Sequence, residues 1–230
     1  MRLQCLGGAI VLTLAAVGAQ AYDETKYPDW KGQWYRPGGG LGGQWDPTKR
    51  PGRAQEPPLA PEYQAIWEAG LASTELGGHG NLSTVRCIPS GMPRMMIVFE
   101  PMEIIVTPET TYIWVTYFSE LRRIYTDGRG WPTPLKPSLR GYSIGRWEDE
   151  DGDGRYDTLV IETRGFTGNR TFDGNIPMHK DGQGVIKERL SLDKTKPNTM
   201  YNEVTTIDNA LTRPWTVKRT YLRTPKPNPV

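Results

Sequence analysis

Histidine and cysteine are both scarce in this chain, with two of each in 230 residues. The sequence therefore offers no His-x-Glu, His-x-x-x-His or Cys-x-x-Cys spacing of the kind that holds zinc. Cys5 lies in the opening segment, and Cys87 is left without a second thiol, so a disulfide framework is excluded. The expected state of Cys87 is a small buried side chain. Excess charge of one sign is missing as well: 28 Lys+Arg face 26 Asp+Glu, or 27 against 26 once Arg2 is set aside. That balance argues against a nucleic-acid or membrane-surface partner. Past residue 21 no apolar run approaches the ~20 residues that span a bilayer, so no integral membrane segment is expected. There is no Gly-x-Ser-x-Gly elbow, phosphate loop or dinucleotide fingerprint, and no nucleotide or organic cofactor is expected.

What is present begins with a leader. Arg2, the apolar run 9–17 and Ala19-Gln20-Ala21 have the pattern of a secretory signal cut after Ala21, which predicts a periplasmic or secreted chain starting at Tyr22. Residues 22–60 form a Gly/Pro/Trp-rich arm. A short strand is expected around 30–35, with loops at Gly38-Gly39-Gly40, at Gly42-Gly43 and over 47–58. Trp30, Trp34 and Trp45 are too costly to leave in water, so the arm should wrap the domain. Residues 61–230 read as a single β-barrel domain with one helix over 61–76. Pro61 suits the first turn, Tyr63, Ile66, Trp67, Leu71 and Thr74 share a face, and Gly77-Gly78 ends the helix. Strands are predicted over 92–99, 102–107, 111–118, 121–126, 140–148, 157–164, 184–192, 199–207 and 215–222. So many short strands with so little helix between them predict an all-β fold, an antiparallel meander closed into a barrel. Residues 111–118 are apolar on both faces, and the helix is their natural cover.

Three patterns carry chemistry. In Asp149-Glu150-Asp151-Gly152-Asp153-Gly154-Arg155-Tyr156-Asp157, the aspartates Asp149, Asp151, Asp153 and Asp157 fall at positions 1, 3, 5 and 9 of a loop with glycine at position 6. That is an oxygen-ligand pattern for structural Ca2+, although Val160 stands where an EF-hand needs glutamate. The alternative is an ion-free Asp-Gly turn. Second, charges stand on apolar strand faces: Glu188 with Ile186, Leu190 and Leu192, and Arg219 with Trp215, Val217 and Tyr221. Glu103 shares a face with Ile105. Buried charge must be paired, so Glu188 should meet Arg219 or another buried cation, as a structural pair or as an acid/base pair in a cavity. Third, His179 lies near Asp173 and Asp181 in sequence, and Asp127-Gly128-Arg129-Gly130 is a turn whose Asp127 or Arg129 could face a site. Glu188, His179, Arg219, Arg129 and Asp127 are the candidate catalytic set. With 8 Trp and 11 Tyr in the chain, Trp114, Tyr125, Tyr142, Trp215 and Tyr221 are candidate ring contacts for a ligand.

Trp30-Lys31-Gly32-Gln33-Trp34-Tyr35 resembles the Gly-x-Trp first strand of lipocalins and related calycin barrels. Arg219 is similar to the last-strand arginine that packs on that tryptophan. The resemblance implies a calycin-like barrel holding a small ligand. Residues 58–222 also resemble a widespread group of uncharacterised secreted bacterial proteins, through Cys87-Ile88-Pro89-Ser90-Gly91-Met92-Pro93-Arg94, Arg123-Ile124-Tyr125-Thr126-Asp127-Gly128-Arg129, Gly141-Tyr142-Ser143-Ile144-Gly145-Arg146-Trp147 and Arg213-Pro214-Trp215-Thr216-Val217. The reading is a periplasmic β-barrel that binds a small apolar or aromatic molecule. Its alternatives are a cofactor-independent lyase, isomerase or hydrolase in the same barrel, and a calcium-braced envelope protein.

Overall fold

The structure, a computed structural model, describes residues 22–38, 44–97 and 99–225. The expected leader, its cleavage point after Ala21, Cys5 and the glycines at 39, 40, 42 and 43 lie outside the described residues. Nine strands close into a barrel in chain order. They are β1 Gln33–Tyr35, β2 Met102–Val106, β3 Thr110–Val115, β4 Glu120–Tyr125 and β5 Tyr142–Glu148, then β6 Thr158–Arg164, β7 Val185–Leu192, β8 Thr199–Ile207 and β9 Trp215–Arg223. Among the described residues there is one α-helix, α1, which spans Pro61–Glu75.

Strand parity decides what enters the barrel. On β9 Trp215, Val217, Arg219 and Tyr221 are buried while Thr216 and Lys218 are exposed; on β7 Ile186, Glu188 and Leu190 are buried. A one-residue slip would reverse every one of these positions. Closure depends on β1, where Trp34 pairs with Met102 of β2 and Tyr35 with Leu222 of β9. The arm thus supplies a wall of the barrel as well as a wrap. Trp30, Trp34 and Trp45 are all buried.

Several expectations are corrected. The sheet is not wholly antiparallel, because β4 and β5 run parallel through only two register pairs, Ile124↔Ser143 and Tyr125↔Ile144. Parallel neighbours need a crossover of a dozen or more residues, and the Pro-rich stretch 126–141 makes it along the barrel wall. The predicted strand 92–99 is instead a short 3-10 helix at Arg94–Ile97, with Met95 N–H bonded to Gly91 O at 2.7 Å. Met92, Met95, Met96 and Ile97 are all buried, so this apolar run plugs an end of the barrel rather than alternating in a sheet. Cys87 is exposed, as the left-handed residue that ends another 3-10 turn.

The helix is corrected in place and in facing. It does not lie over β3, where Tyr112 and Trp114 remain half-buried. Its contacts are to loops: the Tyr63 ring lies 5.3 Å from His179, and Thr74 Oγ1 accepts from Asn175 Nδ2 at 3.3 Å. Ile66 is exposed, while Trp67, Gly70 and Leu71 are buried. A Cβ at Gly70 would come 2.7 Å from Asn81 Nδ2, so close approach of the loops selects that face.

The strand ends sort to two ends of the barrel. The closed end gathers the long stretches: 36–101, the β3–β4 loop, 165–184 and 208–214. The turn end has only the short connections 107–109, 149–157 and 193–198, together with residues 22–31.

Candidate functional site

Midway along the barrel the interior is polar. Arg122 grips Glu188 with both nitrogens, Nη1 to Oε1 at 3.1 Å and Nη2 to Oε2. Arg122 Nε donates to Ser143 Oγ at 3.2 Å and Nη2 to Thr163 Oγ1 at 2.9 Å, while Asn202 Nδ2 adds a bond to Glu188 Oε1 at 3.0 Å. The two charged side chains are 1% and 0% exposed. Glu188 therefore points inward and meets a buried cation, but that cation is Arg122 and not Arg219. Arg122 escaped notice because Arg122-Arg123 reads as surface; its parity with Ile124, also buried, was the available signal.

Arg219 is buried separately. Its Nη1 donates to Gln44 O at 3.1 Å and to Trp45 O, and its guanidinium lies 5.7 Å from the Trp45 ring. Burial pulls its pKa down. The arginine over Trp34, the tryptophan of the Gly-x-Trp strand, is Arg223 at 4.7 Å. Trp45 itself packs with Phe172 and Trp215, at 5.1 and 6.2 Å. The Tyr221 hydroxyl donates to Met96 O at 2.8 Å. The cavity left between Trp34, Met96, Met102 and Tyr221 measures ≈ 10 Å³, room for one water. Side chains occupy the space a ligand would need.

The remaining candidates are dispersed. His179 Nδ1 lies 2.9 Å from Asp181 Oδ2 in a closed-end loop, whereas Asp173 Oδ1 is taken by the N–H groups of Gly174, Asn175 and Ile176. Arg129 and Asp127 pair with each other, and the Arg129 guanidinium stands 4.0 Å over Tyr125. Glu188 has Arg122 and Asn202 as its partners, so the candidate catalytic set does not converge on it. Of the candidate ligand rings, Trp215 and Tyr221 are interior, Trp114 is on the outer wall, and Tyr125 and Tyr142 stack at 4.9 Å beside the β4–β5 seam. Glu103 faces outward and accepts from Gln33 Nε2 at 2.9 Å.

At the turn end Asp149, Asp151 and Asp153 bring carboxylate oxygens within 4.8 Å of one another. Oxygens on a Ca2+ at ~2.4 Å can lie that far apart. Asp149 also accepts from the N–H groups of Gly152, Asp153 and Gly154, and Lys194 Nζ bonds Asp151 and, at 3.3 Å, Asp157.

Beside this loop lies a cleft of ≈ 1000 Å³, walled by residues 22–31, Ile104, Ile105, Val106, Gly154 and Arg155. Tyr27 is its aromatic centre, 5.4 Å from Tyr22, 5.3 Å from Trp147 and 5.2 Å from Tyr156. Trp30 lines the cleft, and its buried indole Nε1 has no partner among the described residues. Three cations, Lys26, Lys31 and Arg155, balance three anions, Asp23, Glu24 and Asp29. Nothing in the strand patterns pointed here, because the cleft is built mostly by irregular chain ahead of β1. The concentration of Tyr22, Tyr27 and Trp30 was its signal in the sequence.

The molecule is thus a filled β-barrel with its roomiest described cavity outside the barrel. Comparison with known proteins returns no matching family model and no matching curated protein. Among the described residues no helix is long and apolar enough to cross a membrane.

Proposed function

We propose that the protein is an exported β-barrel that binds a small, largely apolar or aromatic molecule in the turn-end cleft. One observation carries this reading: the barrel interior is occupied by its own side chains, while the cleft has the volume, the rings and the balanced charge that suit such a ligand. Ile104, Ile105, Val106 and the Tyr27 cluster supply apolar surface. Arg2, the apolar run and Ala19-Gln20-Ala21 support export, and cleavage after Ala21 would set the new N-terminus at the rim of the cleft. A structural Ca2+ on Asp149, Asp151 and Asp153 would brace the wall formed by Gly154 and Arg155. Glu188 is saturated by Arg122 and Asn202, and the support for an acid/base role is correspondingly weak.

The test uses N-phenyl-1-naphthylamine, a neutral aromatic reporter, with the chain beginning at Tyr22. Saturable fluorescence enhancement is expected, and Ile105→Asp should weaken it about tenfold or more without lowering Tm. Ile105 is 57% exposed, so the fold tolerates the change. Equal affinity in the variant would remove the cleft as the site.

A further inference from the structure

The β4–β5 seam is the one parallel joint in the wall, and a short one. Its strands share two register pairs, and on the closed-end side of those pairs Leu121–Arg123 and 138–142 diverge. The gap is a cavity of ≈ 180 Å³ on the flank of the barrel, apart from the turn-end cleft. Arg122, Arg123 and Arg140 line it, and no aspartate or glutamate does. Their charges are unequally spent. Arg122 places four of its five N–H donors on Ser143, Thr163 and Glu188. Arg140 comes only within 4.0 Å of Glu120, whose own oxygens accept from Ser90 and Gly91 N–H at 3.0 and 2.9 Å. Arg123 is exposed and makes no ion pair among the described residues. The cavity also has an aromatic side, the stacked rings of Tyr125 and Tyr142.

We propose that this seam is a second binding site, taking a small aromatic carboxylate, with Arg123 and Arg140 receiving the carboxylate and the ring lying against Tyr125 and Tyr142. A planar guanidinium matches a carboxylate with two parallel hydrogen bonds, which a lysine could not reproduce. A ring of benzoate size suits the volume. The cationic lining repels a protonated amine and has no use for a neutral hydrocarbon, so the two sites select different chemistry. Arg129 over Tyr125 and Arg164 at 5.1 Å over the Trp131 ring extend the cationic rim, although each already has a carboxylate neighbour, Asp127 and Glu162.

The test is calorimetric titration of the chain beginning at Tyr22 with sodium benzoate and, separately, inorganic phosphate. Benzoate should bind saturably in the millimolar range or tighter, and the double variant Arg123→Ala/Arg140→Ala should weaken it about tenfold or more. Both arginines are at least partly exposed, so an unchanged Tm should accompany the loss. Arg140→Lys should recover only part of the affinity. N-phenyl-1-naphthylamine should bind the double variant as it binds the parent chain, which separates this site from the cleft whichever of the two fails. Absence of saturable benzoate binding, or the same affinity in the double variant, would overturn the proposal. Phosphate binding as tightly as benzoate would overturn its aromatic half.

Discussion

The two ends of the barrel are closed by opposite means. At the closed end, long irregular stretches bring Met95, Met96, Phe172, Ile176 and Met178 into the core, and carboxylates go in with them, Glu120 and Asp208 among them. Burial pushes both above the ordinary carboxylate range, although each accepts two backbone N–H bonds. At the turn end the carboxylates stay in water and bond neighbouring groups. Thr195 and backbone N–H groups hold Asp193 down at about 2, and Lys194 lowers Asp151. One end uses apolar mass and tolerates uncomfortable charge; the other uses short acidic turns and leaves aromatic surface uncovered. The cleft proposed for a ligand lies at the turn end, beside rings that the core does not cover.

The comparison assumes a sealed body between the ends, and the Arg122–Glu188 pair is the place to break it. Glu188→Gln leaves Arg122 buried without a counter-charge and should cost about 3–5 kcal/mol in denaturant unfolding. Arg122→Met with Glu188→Leu removes both charges and should regain most of that loss. A single variant as stable as the parent would mean that water already reaches the pair.

A smaller effect is expected from calcium at the turn end. Binding to the native state alone contributes about 2.7 kcal/mol at 100 times Kd. Tm should therefore rise by several degrees in excess calcium over chelator, and Asp151→Ala should abolish the rise. Coincident melting curves in the two buffers would assign the loop to Lys194 and backbone N–H groups alone.

The smallest expected effect sharpens the contrast through pH. A carboxylate whose folded pKa is raised gives stability that is present below its unfolded value and lost as pH rises through the folded one; a depressed carboxylate does the reverse. Lowering pH from neutral should first stabilise the protein slightly through Asp208 and Glu120, then destabilise it below about pH 4 as Asp193 and Asp151 begin to protonate. Asp208→Asn keeps an oxygen for the His179 and Ala210 N–H groups. It should flatten the upper limb and add on the order of 1 kcal/mol at neutral pH, the scale of one polar group. A parent curve that only falls from neutral pH downward would count against the division of the two ends.

Much of the barrel was legible because period-2 patterns survive wherever a strand has water on one side. β7 and β9 announced Glu188 and Arg219 as interior residues, and both are buried. Pairing was less legible, since parity gives a face and not a neighbour: Glu188 needed a cation, but nothing local distinguished Arg219 from Arg122. The run from Met92 to Phe99 misled because, Arg94 apart, it is apolar throughout and has no period to read. The parallel seam was hidden in a spacer, 126–141, whose length permits a crossover without requiring one. The cleft was missed for a related reason, since it is assembled from irregular chain, the end of β2 and one distant turn.

β1 has three residues, and its partner β9 ends nearly the whole chain away. Thr224 N–H donates to Gln33 O at 2.8 Å and Arg223 pairs with Asp29, so the segment ahead of β1 is also tied to the last strand. During synthesis β1 emerges first and has no neighbour on that side until β9 follows. The barrel is therefore a ring whose clasp is made last: eight strands can assemble in sequence, yet an open edge persists on β9 until Trp34 and Tyr35 return to it. The molecule's exposure to wrong pairing is concentrated in that interval, in a chain whose finished form has no open edge.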